Sequence, residues 1–107
     1  MEITTLADLD GTPHADVFDD HRPRTVRLAL DAGEAVPRHT HPGTDIVLHL
    51  LSGRLELTLD DETHAVEAGQ LVQFSGDREI SPRAATDATA VLVFAPSPDG
   101  GDAPESG

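Results

Sequence analysis

Apolar and polar residues alternate in short runs along most of this chain, and turn residues separate the runs. From Thr25 to Leu30, Val26, Leu28 and Leu30 alternate with Arg27 and Ala29, a period of two that predicts a half-buried strand. Ile46 to Leu51 is apolar at every position but His49, and Ser52-Gly53 ends it. Arg54 to Leu59 alternates again, so the two runs predict a hairpin. Asp60-Asp61-Glu62 predicts the next turn, followed by a short strand from His64 to Val66. Ala68-Gly69 leads into Leu71 to Phe74, Gly76-Asp77 turns once more, and Ala88 to Ala95 is the last apolar run. No stretch of useful length repeats every 3.6 residues. The pattern therefore predicts an all-β fold, a sandwich or small barrel.

A length of 107 residues suits one domain, placed here at residues 24–95. Residues 1–23 form an N-terminal segment that can supply an edge strand or drape over the barrel. The final run, PSPDGGDAPESG over residues 96–107, is rich in Pro, Gly and acid and is expected to be a disordered tail.

Charge narrows the partners. Twenty acidic residues against seven arginines, with no lysine, give a formal net charge of −13. Such a surface repels phosphate backbones and anionic lipid, which argues against nucleic-acid and membrane partners. Dense acid without lysine also resembles the surfaces of halophile proteins, where molar salt screens self-repulsion. A lysine-poor genome is the competing explanation. With no cysteine there is no thiolate nucleophile and no Cys-type zinc site. The acidic first twenty residues show no signal peptide, and no run reaches the roughly 20 apolar residues of a membrane helix, so a cytoplasmic location is expected.

The candidate chemistry centres on His39-Thr40-His41. Alternate residues of a strand share a face, so two imidazoles at i and i+2 can share a ligand. A nearby carboxylate, Asp45, would complete a 2-His-1-carboxylate set for a divalent transition metal: Fe, Mn, Ni, Zn or Cu. No nucleophile elbow, phosphate-cradling glycine loop or dinucleotide fingerprint is present, so no nucleotide or organic cofactor is indicated. His49 shares the parity of Asp45 and is a weaker candidate ligand. His14, His21 and His64 read as solvated surface residues. Arg22, Arg24 and Arg27 form a local cationic cluster that could meet an anionic substrate or pair with the acidic surface.

These residues resemble the cupin family of small jelly-roll β-barrels. Gly33, His39, His41 and Gly53 fit its first motif, G-x5-H-x-H-x3 or x4-E-x6-G, and Leu55 to Leu59 follows as the expected strand. Gly69 to Phe74 matches the opening of the second motif, G-x5-P-x-G-x2-H-x3-N. The resemblance implies a jelly roll, a metal at the histidines, a small-molecule ligand with oxygenase, isomerase or related activity, and a homodimer.

Departures from the motifs qualify this expectation. Counted back from Gly53, the acidic ligand position holds Ile46; counted forward from His41, Asp45 falls at an allowed spacing. In the second motif Ser75 replaces Pro, Asp77 replaces Gly, and Ile80 stands where a histidine ligand belongs, with Glu79 just before it. On regular strands Ile46 and Ile80 would line a pocket while Asp45 and Glu79 point out. A β-bulge would turn the acids inward and make Glu79 a fourth ligand. Three readings follow: a metal-dependent enzyme or binder, a metal-free small-molecule binding or sensing module, and a dimerisation domain.

Overall fold

The structure, a computed structural model, describes residues 1–19 and 23–97. His21, Arg22 and most of the expected tail, residues 98–107, lie outside the described residues. A short 3-10 turn at Leu6–Asp8 precedes eight strands: β1 (His14–Asp16), β2 (Arg24–Leu30), β3 (Thr44–Ser52), β4 (Arg54–Leu59), β5 (Glu62–Glu67), β6 (Leu71–Ser75), β7 (Ile80–Ala84) and β8 (Ala88–Pro96). They form a five-stranded sheet in the order β1-β2-β8-β3-β6 and a three-stranded sheet in the order β5-β4-β7. Every pairing is antiparallel. No helix among the described residues is long and apolar enough to cross a membrane.

The core lies between the sheets, and the period of two decides its membership. Val26, Leu28 and Leu30 of β2, Ile46, Leu48 and Leu50 of β3, and Leu55, Leu57 and Leu59 of β4 are all buried. Register stacks them: Leu48 pairs with Leu92 and Ile46 with Phe94, while Leu92 also faces Val26 on the other side of β8. Burying each such side chain stabilises the fold by about 1.5–3 kcal/mol.

The chain passes from one sheet to the other between β3 and β4. The β3–β8 register shifts between Leu50 and Ser52, a bulge that leaves Leu51 without a partner on β8 and 39% exposed. A bulge bends a strand, and Gly53 at φ +81° completes the corner.

Strand β7 is absent from the sequence expectation, because Ser81-Pro82-Arg83-Ala84 offers no apolar alternation beyond Ile80. Its environment explains how proline fits there. β7 pairs with β4 on one side. On the other it meets the segment 33–39, where Gly33 N donates to Ala84 O (2.8 Å) and Val36 N to Pro82 O (2.9 Å). The carbonyl and the nitrogen of a strand residue point to the same side. The donor that Pro82 lacks would therefore face residues 33–39, not the β4 ladder. At the other end, β8 runs one residue past Ala95, into the stretch expected as tail. Pro96 pairs with Thr44, and Ser97 N donates to Gly43 O (2.8 Å).

The corner supplies a test. A Cβ at Gly53 would run into Asp87 O and Ala88 Cα, whereas one at Gly69, also at positive φ, meets no atom within 4 Å. Gly69→Ala should cost only backbone strain, about 1–2 kcal/mol, and Gly53→Ala at least about 3 kcal/mol, read by urea unfolding. Equal losses would contradict the close packing at this corner.

Candidate functional site

Between the two sheets lies a cavity of about 460 Å³. Its walls are apolar: Val26 and Leu28 from β2, Ile46 and Leu48 from β3, Leu57 from β4, Phe74 from β6, Ile80 and Pro82 from β7, and Leu92 and Phe94 from β8. The ionisable lining residues are His14, Arg24, Arg38, His39 and His41. Small-molecule sites commonly have this volume and this mix of apolar wall and few polar groups.

The two central histidines are held by backbone on both sheets. His39 exchanges hydrogen bonds with Ile80, N to O at 3.1 Å and O from N at 2.8 Å, which fixes it beside β7. His41 N donates to Gly76 O (2.7 Å), which ties it to the turn after β6. The rings meet edge to face with centroids 4.9 Å apart, and the His41 ring lies 5.0 Å from that of Phe94. His39 Nδ1 is 2.8 Å from Pro37 O. A carbonyl only accepts, so Nδ1 carries the proton and Nε2 keeps a lone pair when the ring is neutral.

Burial pushes the His41 imidazole below its ordinary value of 6.5, and the charges of His39, Arg24 and His14 add to the shift. His14 moves the same way, by burial first and then through His39 and Arg24.

His39, His41, Ile46 and Ile80 come together in this cavity; Asp45, Glu79 and His49 do not line it. The register of β3 runs unshifted from Thr44 to Leu50, so no bulge turns Asp45 inward. Ile46, 1% exposed, faces the cavity, and Asp45 sits on the outer face between Ser75 and Ala95. His49 is on that outer face too, opposite Leu71 and Val91. Glu79 is held outside by two contacts. Its carboxylate accepts from Arg38 Nη1 (3.0 Å), and its N donates to Asp60 Oδ1 (3.0 Å). That backbone bond, with a second from Arg78, holds the Asp60 carboxyl below its usual range.

The fit to a divalent metal follows. Ile46 and Ile80 occupy the positions where the family pattern places two further donors, and the described lining residues offer imidazoles without a carboxylate, with Arg24 close enough to disfavour a cation. Among the described residues no three His, Cys, Asp or Glu side chains are grouped to hold a metal ion. The expected set of His39, His41 and Asp45, with Glu79 or His49 beside it, is not assembled.

From the sequence, His14 is not expected as a lining residue, and Arg24 is named only as part of the cationic cluster. His14, expected in solvent, is opposite Leu28 across the β1–β2 ladder and so shares its inward face. Arg24 has the parity of Val26, a signal the sequence did carry. The arginine cluster divides: Arg27 takes the opposite parity and donates through Nη2 to Gly11 O (2.6 Å) beneath the N-terminal segment.

The family model for the cupin domain matches residues 26–96. Solved structures agree. A conserved protein of unknown function from Streptococcus pyogenes is 30% identical (TM-score 0.64), the match covering 71% of this chain and 65% of that one. A Thermus thermophilus protein is 28% identical (TM-score 0.76), covering 92% of this chain and all of that one (100%). An RmlC-like cupin with a double-stranded β-helix fold, from Methanocaldococcus jannaschii, shares 18% identity over 94% of both chains (TM-score 0.77) and so shows the fold alone. No curated protein matches the sequence.

The lowered histidines make stability depend on pH. As pH falls below 6.5 the unfolded chain takes up protons at His14 and His41 before the folded protein does. The unfolding free energy therefore falls with pH from that point until the folded histidines are also charged. Urea midpoints between pH 7 and 5 should decline in the wild type and decline less in His14→Gln/His41→Gln. An identical slope in both proteins would refute the assignment.

Proposed function

This chain belongs to the cupin family, and on that premise we propose that it binds a small molecule in the cavity between its sheets, with His39 and His41 as polar anchors. The observation that carries this reading is the cavity itself: about 460 Å³, lined by side chains of seven strands, with a few ionisable groups among apolar ones. An apolar ligand surface gains roughly 25 cal/mol per Å² on leaving water, and two placed imidazoles set its orientation.

The histidines suit binding. His39 Nε2 offers an acceptor while Nδ1 is engaged by Pro37 O. Among the described lining residues there is no carboxylate, hydroxyl or thiol that could act as a nucleophile. A metal-centred alternative would need a carboxylate beside the histidines, and of the two expected there Asp45 lies on the outer face of β3 while Glu79 is held by Arg38 and Asp60. Recognition, as in a sensing or carrier module, is the reading that needs no residue to move.

A thermal-shift screen of small molecules tests this. A ligand bound only to the folded state at 100 times its Kd adds about 2.7 kcal/mol, a rise of roughly 10 °C or more in a domain of this size. The rise should shrink in His39→Ala/His41→Ala and persist in Asp45→Asn/Glu79→Gln, which changes only side chains outside the cavity. A screen without any hit, or a rise that depends on Asp45 and Glu79 instead, would overturn the proposal.

A further inference from the structure

The lining contradicts the charge of the molecule that carries it. The chain has 20 acidic residues and seven arginines, yet among the described residues none that lines the cavity is acidic, and the two charged ones are arginines. An acidic protein surface repels anions at long range, so a lining of this kind acts locally, on a group already inside.

Two of these groups converge on one aromatic ring. The Arg24 guanidinium carbon lies 5.0 Å from the centroid of Phe94, and the His41 ring lies 5.0 Å from the same ring. Arg38 is engaged, donating to Glu79 at 3.0 Å. Arg24 is held more loosely: it forms an ion pair with Asp16, Nε to Oδ1 at 3.9 Å, beyond hydrogen-bond reach. Phe94 and its neighbours Ile46 and Leu92 form an apolar surface directly beside this cationic end.

We propose that the ligand is an amphipathic anion, a small carboxylic acid with a hydrocarbon body. Its carboxylate pairs with Arg24, with His41 as a second donor, and its body packs against Phe94, Ile46, Ile80 and Leu92. The planar guanidinium matches a carboxylate in a two-point contact that a neutral head group cannot reproduce. A singly charged head is also cheaper to desolvate beside apolar walls than a phosphate dianion. This inference rests on the pocket reading above and adds the chemical class of the occupant.

Calorimetry at low salt with octanoate, 1-octanol and octylammonium separates the two levels. Octanoate should bind at least about tenfold more tightly than octanol, a difference of about 1.4 kcal/mol, and octylammonium most weakly. The preference for octanoate should shrink with added sodium chloride. Arg24→Gln should bring octanoate down to the level of octanol, while Arg24→Lys should keep part of the preference. Equal binding of octanoate and octanol to the wild type would overturn the charge inference and leave the pocket standing. A preference that survives Arg24→Gln would overturn the role of Arg24. Binding of none of the three would overturn this proposal; the pocket reading would then stand or fall on the wider screen.

Discussion

The alternation of side chains across β3 is the constraint on which the rest of the site depends. This strand lies inside the five-stranded sheet, paired with β8 on one side and β6 on the other, and both ladders keep register through Ile46. A slip of one residue would bring Asp45 inside and put Ile46 in water. That exchange would forfeit the burial of Ile46, about 1.5–3 kcal/mol, and desolvate a carboxylate with no partner waiting for it. Two flanking strands make the exchange harder still, because each would have to re-pair. The second isoleucine is held comparably. Ile80 exchanges two backbone hydrogen bonds with His39, while Glu79 is drawn outward by Arg38 and Asp60.

From this constraint comes the character of the cavity. Two isoleucines stand where the family pattern places ligands, so the histidines face a hydrocarbon wall. Beside Arg38, which lies within the first motif, polarity enters from two elements outside the motifs: Arg24 at the start of β2, and His14 on the edge strand β1. Both carry or can carry positive charge, and each lowers the proton affinity of His41. The result is a small apolar chamber with a few basic groups at its lining, within a strongly acidic protein. The lack of a grouped carboxylate among the described residues and the presence of basic groups are the features on which the proposed anionic head group rests.

Much of this was legible in the residues, and the failures have physical causes. Strands β2 and β4 announce themselves by alternation, β3 and β8 by apolar runs, and β5 and β6 by short runs between turn residues, while Gly33, His39, His41 and Gly53 carry the family spacing. β7 was silent because an edge strand tolerates proline and needs only Ile80, Pro82 and Ala84 to face inward. Asp45 was ambiguous because the count from His41 and the count from Gly53 disagree by one residue. Parity resolves that ambiguity only if no bulge intervenes, and a bulge has no local sequence signal here. The bulge that does occur, between Leu50 and Ser52, follows the ligand position and leaves its facing unchanged. His14 could not be placed from sequence, since its facing is set by pairing with Leu28, fourteen residues away.

Metal analysis of protein produced without a histidine tag tests the central claim most directly. If Ile46 and Ile80 have replaced the missing ligands, the wild type holds well under one equivalent of any transition metal, and His39→Ala/His41→Ala holds the same. One equivalent of metal per chain in the wild type, lost on the double substitution, would contradict the account.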